Sequence, residues 1–423
     1  MRHAFKAALL ILAAALAIDT AAAYPLYGSE DTGIRRLEAA RLAHEGVVKG
    51  KKKVAGELLS VDQVKLRLLD RRDMELPPAD PAFSKEIVGL LGKYASRYGV
   101  SVLDLSDPDN PRYGEHNGNN PQNPGSVGKI VVGAAVMQAL ADVYPDDTGR
   151  RLEVLRNSIV TADDFIIRDS HTVRLWNGET QVLTRRPLQI GDQGNLYEWL
   201  DWMMSASSNA AAATVMKHAM LINRFGTAYP IPHEDTITFF KETPKGDLRD
   251  LLVRSVQHPL SRSGIDLEKF RQGSFFTRTG KNKVPGTNSY ATSREMMNFL
   301  LRMEQGRIVD EFSSRELKRL LYMTERRIRY ASSPALRDSA VYFKSGSWYG
   351  CEPEPGFKCK KYHGNKRNLM NSIAIVESPA GVSKLYYIVT LMSNVLRRNS
   401  AVDHQTFATR VHRLIEKRHM PAE

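Results

Sequence analysis

The stretch NPGSVGKIVVGAAVMQAL, Asn123 to Leu140, decides how the chain is read. Its first part is rich in Asn, Pro and Gly and forms turns, whereas the part from Ile130 onward is apolar on every side, as expected of a buried helix. Ser126 and Lys129 stand at the junction, three residues apart and so on one helical face. A serine hydroxyl is a poor nucleophile without a neighbouring base, and a lysine whose charge is disfavoured by burial is such a base. The helix N-terminus adds unpaired N–H groups where an oxyanion would develop. The plainer alternative is an N-capping serine beside a snorkelling lysine.

Upstream, FSKEIVGLLGKYASRYG, from Phe83, has helical periodicity, and VSVLDLSD, from Val100, alternates as a strand does. Asp107 to Gly125 is turn-forming and delivers Ser126 on an exposed loop. From residue 127 to about 325 the pattern is mostly helical, including NLYEWLDWMMSASSNAAAATVMKHAML, Asn195 to Leu221. Strand patterns return in AVYFKSGSWYG, NSIAIVESP and KLYYIVTLMSN, and TFATRVHRLIEKRH closes the chain as an amphipathic helix. Strands at both ends with helices between them predict an α/β fold: an antiparallel sheet built from both chain ends, flanked by helices, with an inserted all-helical subdomain.

Residues 1–23 have the layout of a secretory signal peptide. Arg2 and Lys6 precede the apolar run Ala7 to Ile18, and Ala21 to Ala23 offer a small-residue cleavage site. That run is well short of the ~20 residues of a spanning helix, and no later segment reads as a membrane span. A soluble protein, periplasmic or secreted and without an anchor after cleavage, is the expectation. Residues 24–80 form a basic leader with two helical patterns, read as a solvated amphipathic extension in preference to a segment that docks on the main domain or contacts another surface; it ends at LPPADP, Leu76 to Pro81, and residues 81–423 form the main domain.

With 60 Lys and Arg against 47 Asp and Glu, the formal net charge is +13. In an exported chain this points to cell-wall polymer, anionic lipid or a carboxylate substrate, and no nucleic-acid motif is present. Cys351 and Cys359 are the only cysteines. In an exported protein they predict a disulfide, whose short loop contributes about 2.6 kcal/mol by chain entropy. A metal site combining them with His363 lacks a fourth ligand at a suitable spacing.

Two further motifs follow in order: Ser207-Ser208-Asn209 in the helical region and Lys344-Ser345-Gly346 at the end of a strand pattern. With Ser126-x-x-Lys129 they resemble the motifs of the penicillin-recognising serine enzymes, which include class A β-lactamases and D-alanyl-D-alanine peptidases. The resemblance runs from about residue 82 to 418 and includes YATSREMMNFLLRMEQGRIVD, Tyr290 to Asp310, but not the leader. The segments around 145–195 and 222–275 are longer than the family pattern. The resemblance implies a β-lactamase/transpeptidase-like fold and makes Ser126 the acylated nucleophile, with Lys129 as its base. It further implies that Ser207 passes a proton to the leaving nitrogen and that Asn209 holds the substrate amide carbonyl. Lys344 and Ser345 would bind the substrate carboxylate, and Gly346 would leave room for substrate along the strand edge. The backbone N–H groups of Ser126 and Ser347 would form the oxyanion hole. No metal or organic cofactor is implied.

One departure bears on turnover. Class A β-lactamases keep a glutamate before the turn that precedes Tyr290, where it activates the deacylating water, but Phe270 to Arg294 contains no carboxylate. Glu268 is the nearest acid upstream, Glu242 is another candidate if the loop is rearranged, Glu234 stands in a longer inserted segment, and Glu295 falls in the following helix. His171 and His233 read as surface polar residues. There is no His-Glu-x-x-His, and Pro124 occupies the first glycine position of a Gly-x-Ser-x-Gly elbow, so a zinc hydrolase and an α/β-hydrolase are disfavoured. The expected substrates are β-lactams or D-alanyl peptide-like amides. The rivals are a D,D-peptidase acting on peptidoglycan and a non-catalytic wall-binding or partner-binding module of the same fold.

Overall fold

The computed structural model describes residues 24–419, and the signal-peptide pattern lies outside them. In the leader, α1 (Tyr24–Thr32) and α2 (Arg35–Glu45) are followed by short 3-10 turns. Helix α3 (Pro81–Leu91) then begins where the sequence breaks: Asp80 accepts the backbone N–H groups of Ala82 and Phe83, and Pro81 fills the first helical position.

Strands β1 (Tyr98–Asp104) and β2 (Arg112–His116) form a hairpin before the Ser126 turn and α4 (Lys129–Val143). The inserted region contains a hairpin, β3 (Thr172–Asn177) and β4 (Val182–Pro187), then α5 (Leu196–Met204) and α6 (Asn209–Phe225). Further along lie α7 (Ser293–Glu304) and α8 (Glu311–Tyr322), three long strands β5 (Ala340–Gly350), β6 (Arg367–Ser378) and β7 (Leu385–Asn394), and α9 (Ser400–His419).

The main sheet has the order β2-β1-β7-β6-β5 and is antiparallel throughout, with Val102 opposite Val389 and Ser345 opposite Ser372. Both faces are covered, and the two-residue strand period sorts the side chains. Tyr342, Ile373, Ile375 and Ile388 join the core beneath α4, α5 and α6. Their neighbours Val341, Phe343, Ala374, Val376, Tyr387 and Val389 pack on the opposite side with α3 and α9. Helix α4 is buried from Lys129 to Ala141. Together with its leading turn, Gly125–Val143 is long and apolar enough to cross a bilayer, contrary to the sequence expectation for later segments, but 83% of it is buried inside the protein as a core helix.

The leader is not a solvated extension. Ile34, Leu37, Leu59, Val64 and Leu68 enter the main core. The guanidinium of Arg36 is buried, grips both carboxylate oxygens of Asp201 on α5 at 2.6 Å, and donates to the carbonyl of Met323 just beyond α8 at 2.5 Å. The 127–325 region also departs from the helical expectation at β3–β4, where six residues of each strand pair in register.

Candidate active site

Ser126 lies in a 3-10 turn, Gly125–Gly128, that opens directly into α4. Gly125 has φ +53°, and Gly346 on β5 faces the turn so closely that a Cβ there would fall 2.4 Å from the Ser126 nitrogen and 2.6 Å from the Pro124 oxygen. The sequence reading assigned the space at Gly346 to substrate; here the Ser126 turn fills it, and strand and turn meet backbone to backbone.

Lys129 is fully buried. Its Nζ lies 2.9 Å from Ser126 Oγ, 2.7 Å from the Ser207 carbonyl oxygen, 2.8 Å from Asn209 Oδ1 and 3.5 Å from Ser207 Oγ. The turn between α5 and α6 thus converges on this amine. Burial, opposed by the charge of Asp169 and reinforced by that of Arg329, lowers the Lys129 pKa to about 7. A substantial neutral fraction is therefore present near neutrality, as a proton acceptor for the Ser126 hydroxyl requires.

Lys344, also buried, donates to Ser207 Oγ at 2.7 Å, so hydrogen bonds connect Ser126, Lys129, Ser207 and Lys344. Burial, then the positive charges of Lys129 and Arg329, hold the Lys344 pKa well below the ordinary lysine value. Ser207 itself has φ +60°, a left-handed conformation that costs a non-glycine residue about 1–3 kcal/mol. Its support comes from Asp169, whose carboxylate accepts Ser208 Oγ–H at 2.9 Å and the Ala210 N–H at 2.8 Å, on either side of Asn209. The other Asp169 oxygen lies 2.6 Å from His171 Nδ1. Although burial alone would raise the Asp169 pKa, the hydrogen bond and charge of His171, with the backbone donors, hold it far below the usual carboxylate range.

These groups border a cavity of about 800 Å³ lined by Ser126, Ser207, Asn209, Lys344, Ser345 and Ser347, with Lys129 beneath its floor. His171 lines it as well, so its place is in the cleft rather than on an unrelated surface. His233 and Glu234 lie on a separate helix, His233–Glu242, and do not line it.

Arg329 is the largest feature the sequence reading missed. It donates to Ser345 Oγ at 2.6 Å, Ser347 Oγ at 3.0 Å and the Tyr362 hydroxyl at 3.0 Å. Its guanidinium and the Lys344 amine present N–H donors along β5, where the resemblance places a substrate carboxylate. Its only trace in the sequence is the basic run Arg326, Arg327, Arg329, which has no diagnostic spacing. Asp169 was likewise missed, though Asp-x-His at 169–171 is a local pair that becomes meaningful once the fold brings it to Ser208.

None of the substitute acids considered reaches the cavity lining. Glu268 is exposed, pairs with Arg271 and accepts from the Tyr290 hydroxyl; Glu295 is buried and accepts the Asp266 N–H; Glu242 ends its exposed helix. From the 270–288 segment, Phe276 places its ring 4.9 Å from Lys129 Nζ. Gln272 brings Oε1 toward Gly128, where an added Cβ would lie 2.2 Å from it. The one carboxylate in the described lining, Glu325, pairs with Arg174 at 3.5 Å. Beyond β5, Cys351 and Cys359 are disulfide-bonded with Cα atoms 6.2 Å apart.

A model of the beta-lactamase enzyme family matches residues 82–404. Among solved structures, the chain is similar to a beta-lactamase from Sphaerobacter thermophilus, at 14% identity and TM-score 0.50 over 80% of this chain and 99% of that one. It is also similar to the TLA-3 extended-spectrum beta-lactamase, at 13% identity and TM-score 0.51 over 79% and 99%. PBP-A matches at 16% identity and TM-score 0.49 over 81% and 100%. No curated protein matches the sequence significantly.

Proposed function

The chain belongs to the beta-lactamase enzyme family, and from that premise we propose that it is an exported serine acyl-transfer enzyme acting on β-lactams or D-alanyl peptide-like amides. The observation that carries the proposal is the buried amine of Lys129, 2.9 Å from Ser126 Oγ and with its pKa near neutrality. The Ser126 oxygen attacks the amide carbonyl and its proton passes to Lys129 Nζ. Backbone N–H groups of Ser126 and Ser347 receive the developing oxyanion. As the tetrahedral species collapses, the C–N bond breaks and Ser207 delivers its hydroxyl proton to the leaving nitrogen, regaining one from Lys129. Asn209 orients the amide, while Lys344, Ser345 and Arg329 hold the carboxylate. The disulfide supports an oxidising, extracytoplasmic setting, periplasmic or secreted.

Within this chemistry, acylation outruns hydrolysis, because the one carboxylate among the described lining residues, Glu325, is paired with Arg174. That favours a penicillin-binding or D,D-peptidase role on peptidoglycan over fast drug hydrolysis. Intact-mass measurement after brief exposure to benzylpenicillin tests the proposal: one adduct, absent from Ser126→Ala, is expected. Unmodified protein with the drug intact would instead favour a non-catalytic wall-binding or partner-binding module.

A further inference from the structure

The two parts of the chain that exceed the family pattern meet behind the cleft. The family match begins at residue 82, after the leader, and strand β3 lies in a segment longer than the pattern. Helix α2 of the leader packs on β3. Glu38 Oε2 accepts the indole N–H of Trp176 at 3.0 Å, and Ala39 and Leu42, on the same side of the helix, pack with Trp176 in an apolar cluster apart from the main core. Trp176 is 4% exposed, so the leader buries one face of β3, while Val173 on its other face enters the main core.

Other residues of α2 reach two more walls. Arg36 holds Asp201 on α5 and the Met323 carbonyl after α8, and Arg35 donates to Glu198 on α5 at 2.9 Å. Each contact adjoins the cleft lining: Thr172 shares the strand of Trp176, Met204 ends the helix of Asp201, and Thr324 is the neighbour of Met323. The β3 contact bears most directly on chemistry. Just before β3 stands Asp169, whose carboxylate holds the Ser208 hydroxyl and the Ala210 N–H. Between those two lies Asn209, 2.8 Å from Lys129 Nζ, and before them Ser207, whose left-handed backbone needs that support.

We infer that Glu38 and Trp176 are positioning residues for the Ser126 site: the leader fixes β3, β3 fixes Asp169, and Asp169 fixes Ser207 and Asn209 around Lys129. This extends the site beyond the family match to the leader, and it rests on the acyl-transfer reading for its rate measurements alone.

A double-mutant cycle on the mature protein tests it, with second-order acylation by benzylpenicillin as one readout and amide hydrogen exchange as the other. Glu38→Ala should slow acylation by about tenfold through misplacement of the turn. Glu38→Gln should recover most of that loss, because its amide oxygen still accepts the Trp176 N–H. In an Asp169→Asn background Glu38→Ala should cost about twofold or less, since the path is already cut. Full multiplication of the two effects would overturn the inference, as would wild-type acylation in Glu38→Ala. Should Glu38→Ala fail to fold, Trp176→Phe takes its place in the cycle, removing the N–H donor and keeping an aromatic ring in the cluster. Hydrogen exchange needs no reaction: amides of residues 205–212 should lose protection in Glu38→Ala while those of α9 keep theirs. Unchanged protection at 205–212, or an equal loss in α9, overturns the positioning role. Absence of any adduct on the wild-type protein overturns the acyl-transfer reading instead, and exchange then decides the positioning by itself.

Discussion

The chemistry of single residues turns on the amine of Lys129, which must be neutral to accept a proton from Ser126. Acylation should therefore rise with pH through a limb centred near 7, because below that value the amine is protonated and above it free. Stopped-flow acylation across pH is the check, and a flat profile would count against Lys129 as the base. Lys129→Met should lower the rate by about 10² to 10⁴-fold. Asp169 offers a sharper test, since its negative charge raises the Lys129 pKa and its oxygens hold the Ser208–Ala210 backbone. In Asp169→Asn the limb should move to lower pH as well as the rate falling, whereas loss of packing alone would leave the limb in place. Ser126, Lys129, Ser207, Asn209 and Lys344 were legible in the sequence because local order and spacing mark them. Arg329 and Asp169 were not, because what matters about them is which distant hydroxyls and backbone N–H groups they meet.

At the scale of elements, the site depends on two joints. One is the contact of β5 with the Ser126 turn. In Gly346→Ala the new Cβ would meet backbone atoms that cannot swing aside, so acylation should drop by about a hundredfold from misplacement of the nucleophile, measured alongside the melting temperature. The other joint is Arg36, which ties the leader to α5 and to the end of α8. Arg36→Met leaves the Asp201 carboxylate buried without its partner, an effect of about 3–5 kcal/mol in urea unfolding. Replacing both residues by apolar ones should recover most of that stability. The strands and long helices were readable because their apolar residues keep a period of two or follow one helical face. Hairpin β3–β4 was not, because β4 is mostly exposed and carries no alternation. The docking of the leader was hidden for a different reason: a Lys- and Arg-rich stretch resembles a solvated surface, and only the fold supplies the carboxylates that bury Arg36.

For the whole molecule, the balance of the two chemical steps defines behaviour. In the proposed chemistry the described lining supplies a nucleophile, a base and carboxylate-binding donors, while its one acid, Glu325, is paired with Arg174, and loss of general-base help to water is typically worth about 10² to 10⁴-fold in rate. A chromogenic cephalosporin should therefore give a burst equal to the enzyme concentration followed by slow turnover; fast turnover without a burst would show that another group activates the water. The wiring of the sheet has a separate consequence, for biosynthesis. Strand β1 finds its inner neighbour only in β7, and the Ser126 turn waits for β5, both made long after the residues they complete. At the usual 5–20 residues per second, about 15–60 s separates the making of Val102 from that of Val389. During that interval the chain has no closed sheet and no assembled nucleophile. If the chain is exported as proposed, it can thread through a translocation channel in this state, and the Ser126 turn gains its β5 neighbour only after residue 346 has been made.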